Sequence, residues 1–339
     1  MQPQIIELSG SAREQGRLHG EALEPVIREI VGEMLVRDTW QEAKVEWLFA
    51  AMQRNLRELA PEVLEELRGI AEGSHIPYED ILAYNAIADI WMVHKFCTTM
   101  GWGDCPGGPV LGKTNDIGRD HEKYHHPFRR RTGAGGAAVW ATWPGSVWAN
   151  CFVTGSGLAM GGASLGMDLR NEAGIASNCM LRVIMDRAGT VEEALSVCDA
   201  VPVMHHPAHI VLADAAGTLV TMELTPMGHY VCQGPGERTV RATNHFCPGP
   251  WAGLDNGERR HVENSKRRFE NLGRLAEKLP HTAEGMLEAI RDHAASGGIC
   301  QHGDADMWSS TGYVASVPER TMLIGRGQPC EAEFFAVGL

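Results

Sequence analysis

No stretch of the 339 residues is apolar enough for long enough to cross a bilayer, so a membrane is not expected as support or partner. The chain also lacks any CxxC pair. Its nine cysteines, at 97, 105, 151, 179, 198, 232, 247, 300 and 330, are odd in number and scattered, which argues against a disulfide framework. The simpler expectation is a reducing, cytoplasmic setting with most of these thiols serving as small core residues. The opening Met1-Gln-Pro-Gln-Ile-Ile-Glu7 has no basic region followed by an apolar one, so no signal peptide is expected. Positive charge is in short supply. Thirty Lys and Arg against 43 Asp and Glu leave a net charge of −13, which argues against nucleic acid or an anionic membrane surface as the main partner. Repeats, low-complexity tracts and linkers are absent. So is a phosphate-cradling glycine loop, and nothing in the chain calls for coenzyme A or another cofactor.

What is present is ordinary for a globular protein: 44% hydrophobic and 22% charged residues, in a chain long enough for one large domain or two smaller ones. A short strand fits residues 5–8. Residues 10–95 then read as mostly helical, with Ile27, Ile30, Val31, Met34 and Leu35 at helical spacing and Leu56, Leu59, Leu64 and Leu67 repeating the pattern. Pro61 suits a first helical turn, and a helix is expected over 78–92. From residue 97 the character changes. Runs at 110–115, 137–143 and 147–153 read as strands broken by Gly and Pro. Residues 208–214 and 219–224 form a hairpin pattern about an Ala-Ala-Gly-Thr turn. Thr190-Val-Glu-Glu193 opens a helix with a capping pattern. Two further helices are expected over 257–278 and 282–295, and short strands at 313–317, 322–325 and 332–337. Strand runs with helices inserted in blocks imply layered sheets covered by helices.

The change of character falls at Cys97, in Lys95-Phe96-Cys97-Thr98-Thr99. A cysteine at such a junction suits a residue hidden in a precursor and released as a new N-terminus. It would supply a thiol nucleophile and, in its α-amine with a pKa near about 8, a base. His94 and Lys95 end the helical region at a plausible processing site. Two polar residues lie on later strand ends. Asp116, in Leu111-Gly-Lys-Thr-Asn-Asp116, could close an Asx turn or hold the Cys97 amine. Asn244, in Thr243-Asn244-His245-Phe246, could cap a turn or donate to a tetrahedral oxyanion.

Several segments together resemble the acyl-coenzyme A:6-aminopenicillanic acid acyltransferase (isopenicillin N acyltransferase) family of N-terminal-nucleophile (Ntn) hydrolases. They are Gly10-Ser-Ala-Arg-Glu-Gln-Gly16-Arg-Leu-His19-Gly20, Cys97-Thr98-Thr99, Gly112-Lys-Thr-Asn-Asp116, Asn171-Glu-Ala-Gly174-Ile, Arg187-Ala-Gly-Thr-Val-Glu-Glu-Ala-Leu and Thr243-Asn244-His245-Phe246, in the family's order. The chain differs from the family pattern at Phe96, where Gly is frequent, and at Thr114, where Asn stands. The resemblance implies an α+β fold, the αββα four-layer sandwich, and self-cleavage between Phe96 and Cys97. Residues 1–96 would then form a mostly helical α fragment and 97–339 the β fragment, the two staying associated as one domain. It further implies Cys97 as nucleophile and base, Asp116 as its orienting carboxylate and Asn244 in the oxyanion hole. The expected activity is amidohydrolysis or acyl transfer on a small linear amide through a thioester.

Other residues are candidates for the substrate. Trp102, close after the nucleophile, and Trp308 are expected as pocket walls, and Ser310 as a hydrogen-bonding group. His205-His206-Pro-Ala-His209 offers histidines four apart, but Pro207 breaks the helix a metal motif would need and no Glu lies between. A loop before a strand is expected, with His209 near the pocket and no metal. His121, His125 and His126, followed by Arg129, Arg130 and Arg131, read as a solvated loop. A metal-dependent hydrolase built on the His-rich loops, or a catalytically silent relative acting as a binding module, are the alternative readings. A homo-oligomer stays open.

Overall fold

The computed structural model describes residues 4–35, 46–91, 96–294, 297–303 and 307–339. His94 and Lys95 lie outside the described residues. The helices are α1 (Ala12–Met34), α2 (Glu46–Leu59), α3 (Pro61–Ser74), α4 (Tyr78–Asn85), α5 (Ile87–Trp91), α6 (Ser177–Arg187), α7 (Val191–Ala200), α8 (Arg259–Lys278) and α9 (Ala283–Arg291). The strands are β1 (Ile6–Leu8), β2 (Phe96–Trp102), β3 (Val110–Asp116), β4 (His126–Arg130), β5 (Ala138–Thr142), β6 (Cys151–Thr154) and β7 (Ala159–Ser164). They continue with β8 (Ala208–Ala213), β9 (Leu219–Thr225), β10 (Gly228–Gln233), β11 (Thr239–Ala242), β12 (Ser309–Ser316), β13 (Thr321–Arg326) and β14 (Phe334–Gly338). One sheet runs β1-β4-β5-β6-β7-β8-β9-β10 and the other β11-β2-β3-β12-β13-β14.

Consecutive residues of a strand point to opposite faces, so a strand buried on both faces feeds two cores. Val139 and Trp140 show this on β5. Trp140 joins Phe152, Ile210 and Met222 against Ile27, Leu64 and Val183 of the helices. Val139 joins Val153, Val211 and Leu219 against Leu111, Tyr313 and Ile324 of the second sheet. The second sheet turns its other face, Met100, Trp102, Val110 and Val314, to Leu272 of α8 and Met286 and Ile290 of α9. The three cores stack as helices, sheet, sheet, helices: the expected four-layer αββα sandwich. The near absence of polar alternation in β2, β3 and β12 follows from this double burial.

The Gly-x5-Gly-x2-His-Gly segment has a packing reason. Gly16 and Gly20 of α1 meet Gly69 and Gly73 of α3 backbone to backbone. A Cβ at Gly16 would stand 2.1 Å from the Glu66 carbonyl oxygen, and one at Gly69 equally close to that of Arg13. His19, on the same turn, accepts the Gly145 N–H at 2.9 Å. Ser11 caps α1 with Glu14 as its reciprocal partner.

The structure differs from the sequence reading in several elements. Helix 78–92 is broken at Ala86, because Asn85 turns its side chain to the loop between β5 and β6. Its Nδ2 donates to Gly145 O and its Oδ1 accepts the Val147 N–H. That loop takes residues 147–150 out of the expected strand, which begins only at Cys151. The segment expected as a solvated loop becomes a 3-10 turn, Arg119–Tyr124, and strand β4. Arg130 there is fully buried, its guanidinium held by Asp186 at 2.7 Å and by the Gly135 carbonyl. Polar residues and Pro127 mask the strand, because the partners that neutralise Arg130 lie far along the chain. Strands β7 and β10 and helix α6 had no reading in the sequence.

Candidate active site

β2 and β3 pair antiparallel with Cys97 opposite Asn115 and Phe96 opposite Asp116. Directly opposed residues share a face. Cys97 and Asn115 therefore face the first sheet, while Phe96 and Asp116 face the α8 side. Cys97 is buried, and its Sγ lies 3.6 Å from Asn115 Oδ1. Asn150, from the end of the loop before β6, donates to that same oxygen at 3.0 Å, and Asn115 Nδ2 donates to the Tyr313 hydroxyl at 3.3 Å.

The backbone of Cys97 is held from the other side. Its N–H donates to Asn244 Oδ1 at 3.2 Å. Arg268 of α8 donates to the Cys97 carbonyl at 2.9 Å, to Thr98 Oγ1 at 2.7 Å and to Asn244 Oδ1 at 2.8 Å. Asn244 Nδ2 donates to the Ser164 carbonyl at 2.8 Å, and its backbone N–H to Ser265 Oγ at 2.7 Å. Asp116 is buried. Its Oδ1 accepts from Ser309 Oγ at 2.5 Å, and its Oδ2 has no hydrogen-bond partner among the described residues. Burial pushes the Asp116 carboxyl up to about 6, against the opposing pull of the Arg268 guanidinium and the Ser309 hydroxyl. A carboxylate with a vacant acceptor, on the face of the Phe96–Cys97 peptide, can receive a cation there.

Beside the thiol is a narrow cavity of about 30 Å³, enough for one or two waters. Trp148, Ala163, Leu181, Ala208 and Leu224 give it apolar walls, and Asn150, Ser164, Ser177, Asn178 and His206 give it polar ones. Its rim is tied down by Asp89 of α5, a buried carboxylate that accepts the N–H groups of Ser177, His205 and His206 at 3.0 to 3.1 Å. Burial raises the Asp89 carboxyl, and those N–H groups pull it back.

The three residues expected to do the chemistry thus converge on one peptide unit, but the expected substrate residues do not line this cavity. Trp102 faces away from it, stacked on His281 at 4.6 Å under the second helical layer. It stands five residues after Cys97 and so has the opposite parity. Trp308 donates to Glu122 at 2.7 Å and carries Arg119 over its ring. Ser310 is buried and donates to the Asn115 carbonyl. His209 turns to Glu223 and Thr243, whereas His206 reaches the cavity wall. Arg268 escaped the sequence reading because it sits in a charged helix. Its buried neighbours Ser265, Asn271 and Leu272, at helical spacing, were the available signal.

No curated protein matches the chain's sequence. Among solved structures, the chain is similar to penicillin V acylase from Agrobacterium tumefaciens, with 13% identity, 72% of this chain and 86% of that one covered, and a TM-score of 0.48. It is similar to a mutant of conjugated bile acid hydrolase from Clostridium perfringens, with 10% identity, 72% and 97% covered, and a TM-score of 0.44. It is also similar to the Caenorhabditis elegans ortholog of N-acylethanolamine-hydrolyzing acid amidase, with 13% identity, 66% and 93% covered, and a TM-score of 0.45. A family model matches residues 154–322, a stretch that carries Asn244, Arg268 and most of the cavity wall. That model is the acyl-coenzyme A:6-aminopenicillanic acid acyl-transferase family, to which the chain is similar over this stretch, just under half of its length.

Proposed function

We propose that the chain cuts itself between Phe96 and Cys97, and that the freed Cys97 hydrolyses a small linear amide through a thioester. The observation that carries this reading is the clamp on one peptide unit. The Cys97 N–H rests on Asn244 Oδ1, the Cys97 carbonyl on Arg268, and the thiol faces the cavity.

In processing, the Cys97 thiol attacks the Phe96 carbonyl carbon, the C–N bond breaks, and the acyl group passes to sulfur. The nitrogen leaves as the new α-amine. Water then cleaves the thioester and restores the thiol. Asp116, on the face of that peptide, receives the ammonium. In turnover, the α-amine takes the thiol proton and the thiolate adds to the substrate carbonyl. Donors from the Asn244 amide stabilise the oxyanion, a contribution of about 3 kcal/mol in comparable sites. The amine returns its proton to the leaving nitrogen, and water hydrolyses the acyl-enzyme. The cavity walls favour an apolar acyl part, with the amide near Asn150 and Ser164. The intact mass of purified protein tests the cut, and amine release from a panel of N-acyl amines and N-acyl amino acids tests the turnover. A single uncut chain that still hydrolyses the panel refutes the processing step. Cut protein that turns over no small amide refutes the assigned activity.

A further inference from the structure

Three neighbouring strands at the β10 edge of the first sheet, and the loop after β11 of the second, each send one side chain to a common point. They are His209 of β8, Glu223 of β9, Cys232 of β10 and Cys247. One ligand-type atom from each lies within 4.8 Å of all the others. We propose that these four side chains form a closed structural site for a zinc-class divalent cation, separate from the Cys97 chemistry.

The separations fit such an ion. With Zn–S near about 2.3 Å and Zn–N or Zn–O near about 2.0–2.2 Å, a tetrahedron places sulfur about 3.6 Å from nitrogen and nitrogen about 3.4 Å from oxygen. The observed Cys247 Sγ to His209 Nε2 distance is 3.7 Å, and His209 Nε2 to Glu223 Oε1 is 3.2 Å. The outer contacts also fit. His209 Nδ1 donates its hydrogen to the Thr243 carbonyl at 2.9 Å, which leaves the Nε2 lone pair pointing at a carboxylate and a thiol. Two lone pairs face to face require a positive charge between them. A proton on Nε2 would be shared between Glu223 Oε1, which also accepts the Cys247 N–H at 2.6 Å, and the Cys247 sulfur, and would not reach Cys232. It would leave Glu223 Oε2, which is buried and has no hydrogen-bond partner among the described residues, without one. A cation uses all four groups, and two thiolates with an imidazole select zinc over the harder ions. On binding, the two thiol protons pass to solvent.

The backbone is shaped to the same end. The β9–β10 register slips between Val231 and Gln233, so Cys232 is the bulged residue, and a bulge re-aims a side chain. Cys232 is the half-exposed member and lies on the edge strand, which gives the ion a way in. Bound there, the ion would pin the two sheets at their open edge. It would also hold the Thr243–Cys247 loop at both ends, with Asn244 between.

The test is the metal content of full-length protein expressed with added zinc and purified without chelator, measured by plasma mass spectrometry. Cys232→Ser is the main variant and Cys247→Ser the second. Cys330→Ser is the control, because Cys330, His293 and His302 form another thiol–imidazole group. The expected result is about one zinc per chain in the wild type and in Cys330→Ser, at least a fivefold loss in Cys232→Ser, and a lower melting temperature after chelation of the wild type. Cobalt(II) loaded in place of zinc should show thiolate charge-transfer absorption that weakens in Cys232→Ser. Three outcomes overturn the proposal: wild type that takes up no zinc or cobalt, metal kept in Cys232→Ser but lost in Cys330→Ser, or a non-reduced mass showing a Cys232–Cys247 disulfide.

Discussion

Asp116 pairs with Phe96 across β2 and β3, and so lies on the opposite face of the sheet from the Cys97 thiol. It is out of place to take a proton from sulfur, and it lies where it would meet the nitrogen that the proposed cut releases from Phe96. The chemistry assigned to this centre therefore divides between the two faces of one strand, with thiol and cavity on one side and carboxylate and Arg268 on the other.

The division makes the cut a first test. Wild-type protein should resolve into fragments of roughly 10 and 27 kDa, by proportion of a 37.0 kDa chain, that co-elute from a sizing column. They should stay together because α1 and α3 bury their apolar faces under the first sheet. Cys97→Ala should remain whole in the same mass measurement.

Asp116 should reveal its burial through pH. Its carboxyl is raised from 3.8 to about 6 in the folded chain, so the neutral form is favoured there. A raised carboxyl loses stability as pH climbs from its unfolded value to its folded one, and the loss is complete above that. Denaturant melts of wild type and Asp116→Asn should therefore diverge by about 3 kcal/mol in favour of the variant between pH 4 and 7, for a shift of about two units. A pH-independent difference would remove the ionised carboxylate from the site. Processing should speed up through pH 6 in wild type and be slow throughout in the variant.

Asn244→Ala should lower kcat about 100-fold or more if its amide serves the oxyanion, with the chain already cut. Arg268→Lys cannot reach Cys97 O, Thr98 Oγ1 and Asn244 Oδ1 together, and should lower kcat in the same direction while KM moves less. Steady-state kinetics on one hydrolysed amide decides both. Asn244→Ala within a few-fold of wild type would take that residue out of the mechanism. Turnover in the cut wild type should also rise from about pH 6 to 8, as the Cys97 α-amine loses its proton.

Gly16→Ala drives a methyl into the Glu66 carbonyl, and neither backbone has a rotamer with which to yield. Overpacking of this kind costs about 2 kcal/mol or more. Gly32→Ala, on the same helix with no described residue within 4 Å of its Cβ position, should be neutral or slightly stabilising. Thermal melts of the pair separate helix packing from helix propensity.

Local pattern determined much of this protein. Periodicity separated the helical block before residue 96 from the strands after it, and Pro61 and Thr190 mark helix starts as read. The segments around Cys97, Asp116 and Asn244, in their order along the chain, carried the resemblance to the four-layer fold. Only the tertiary structure decided which side of a strand each group uses and which distant groups it meets. Trp102 fails as a cavity wall because of its parity on β2. Arg268 enters because one turn of α8 crosses the strand end. Asp89 organises the cavity rim from a helix whose sequence shows no such duty. His209, Glu223, Cys232 and Cys247 become neighbours through the order β8-β9-β10 and a bulge. Periodicity is a property of ten or fifteen consecutive residues, whereas convergence depends on strand register and sheet order. Burial on both faces removes the polar alternation that would otherwise have announced them.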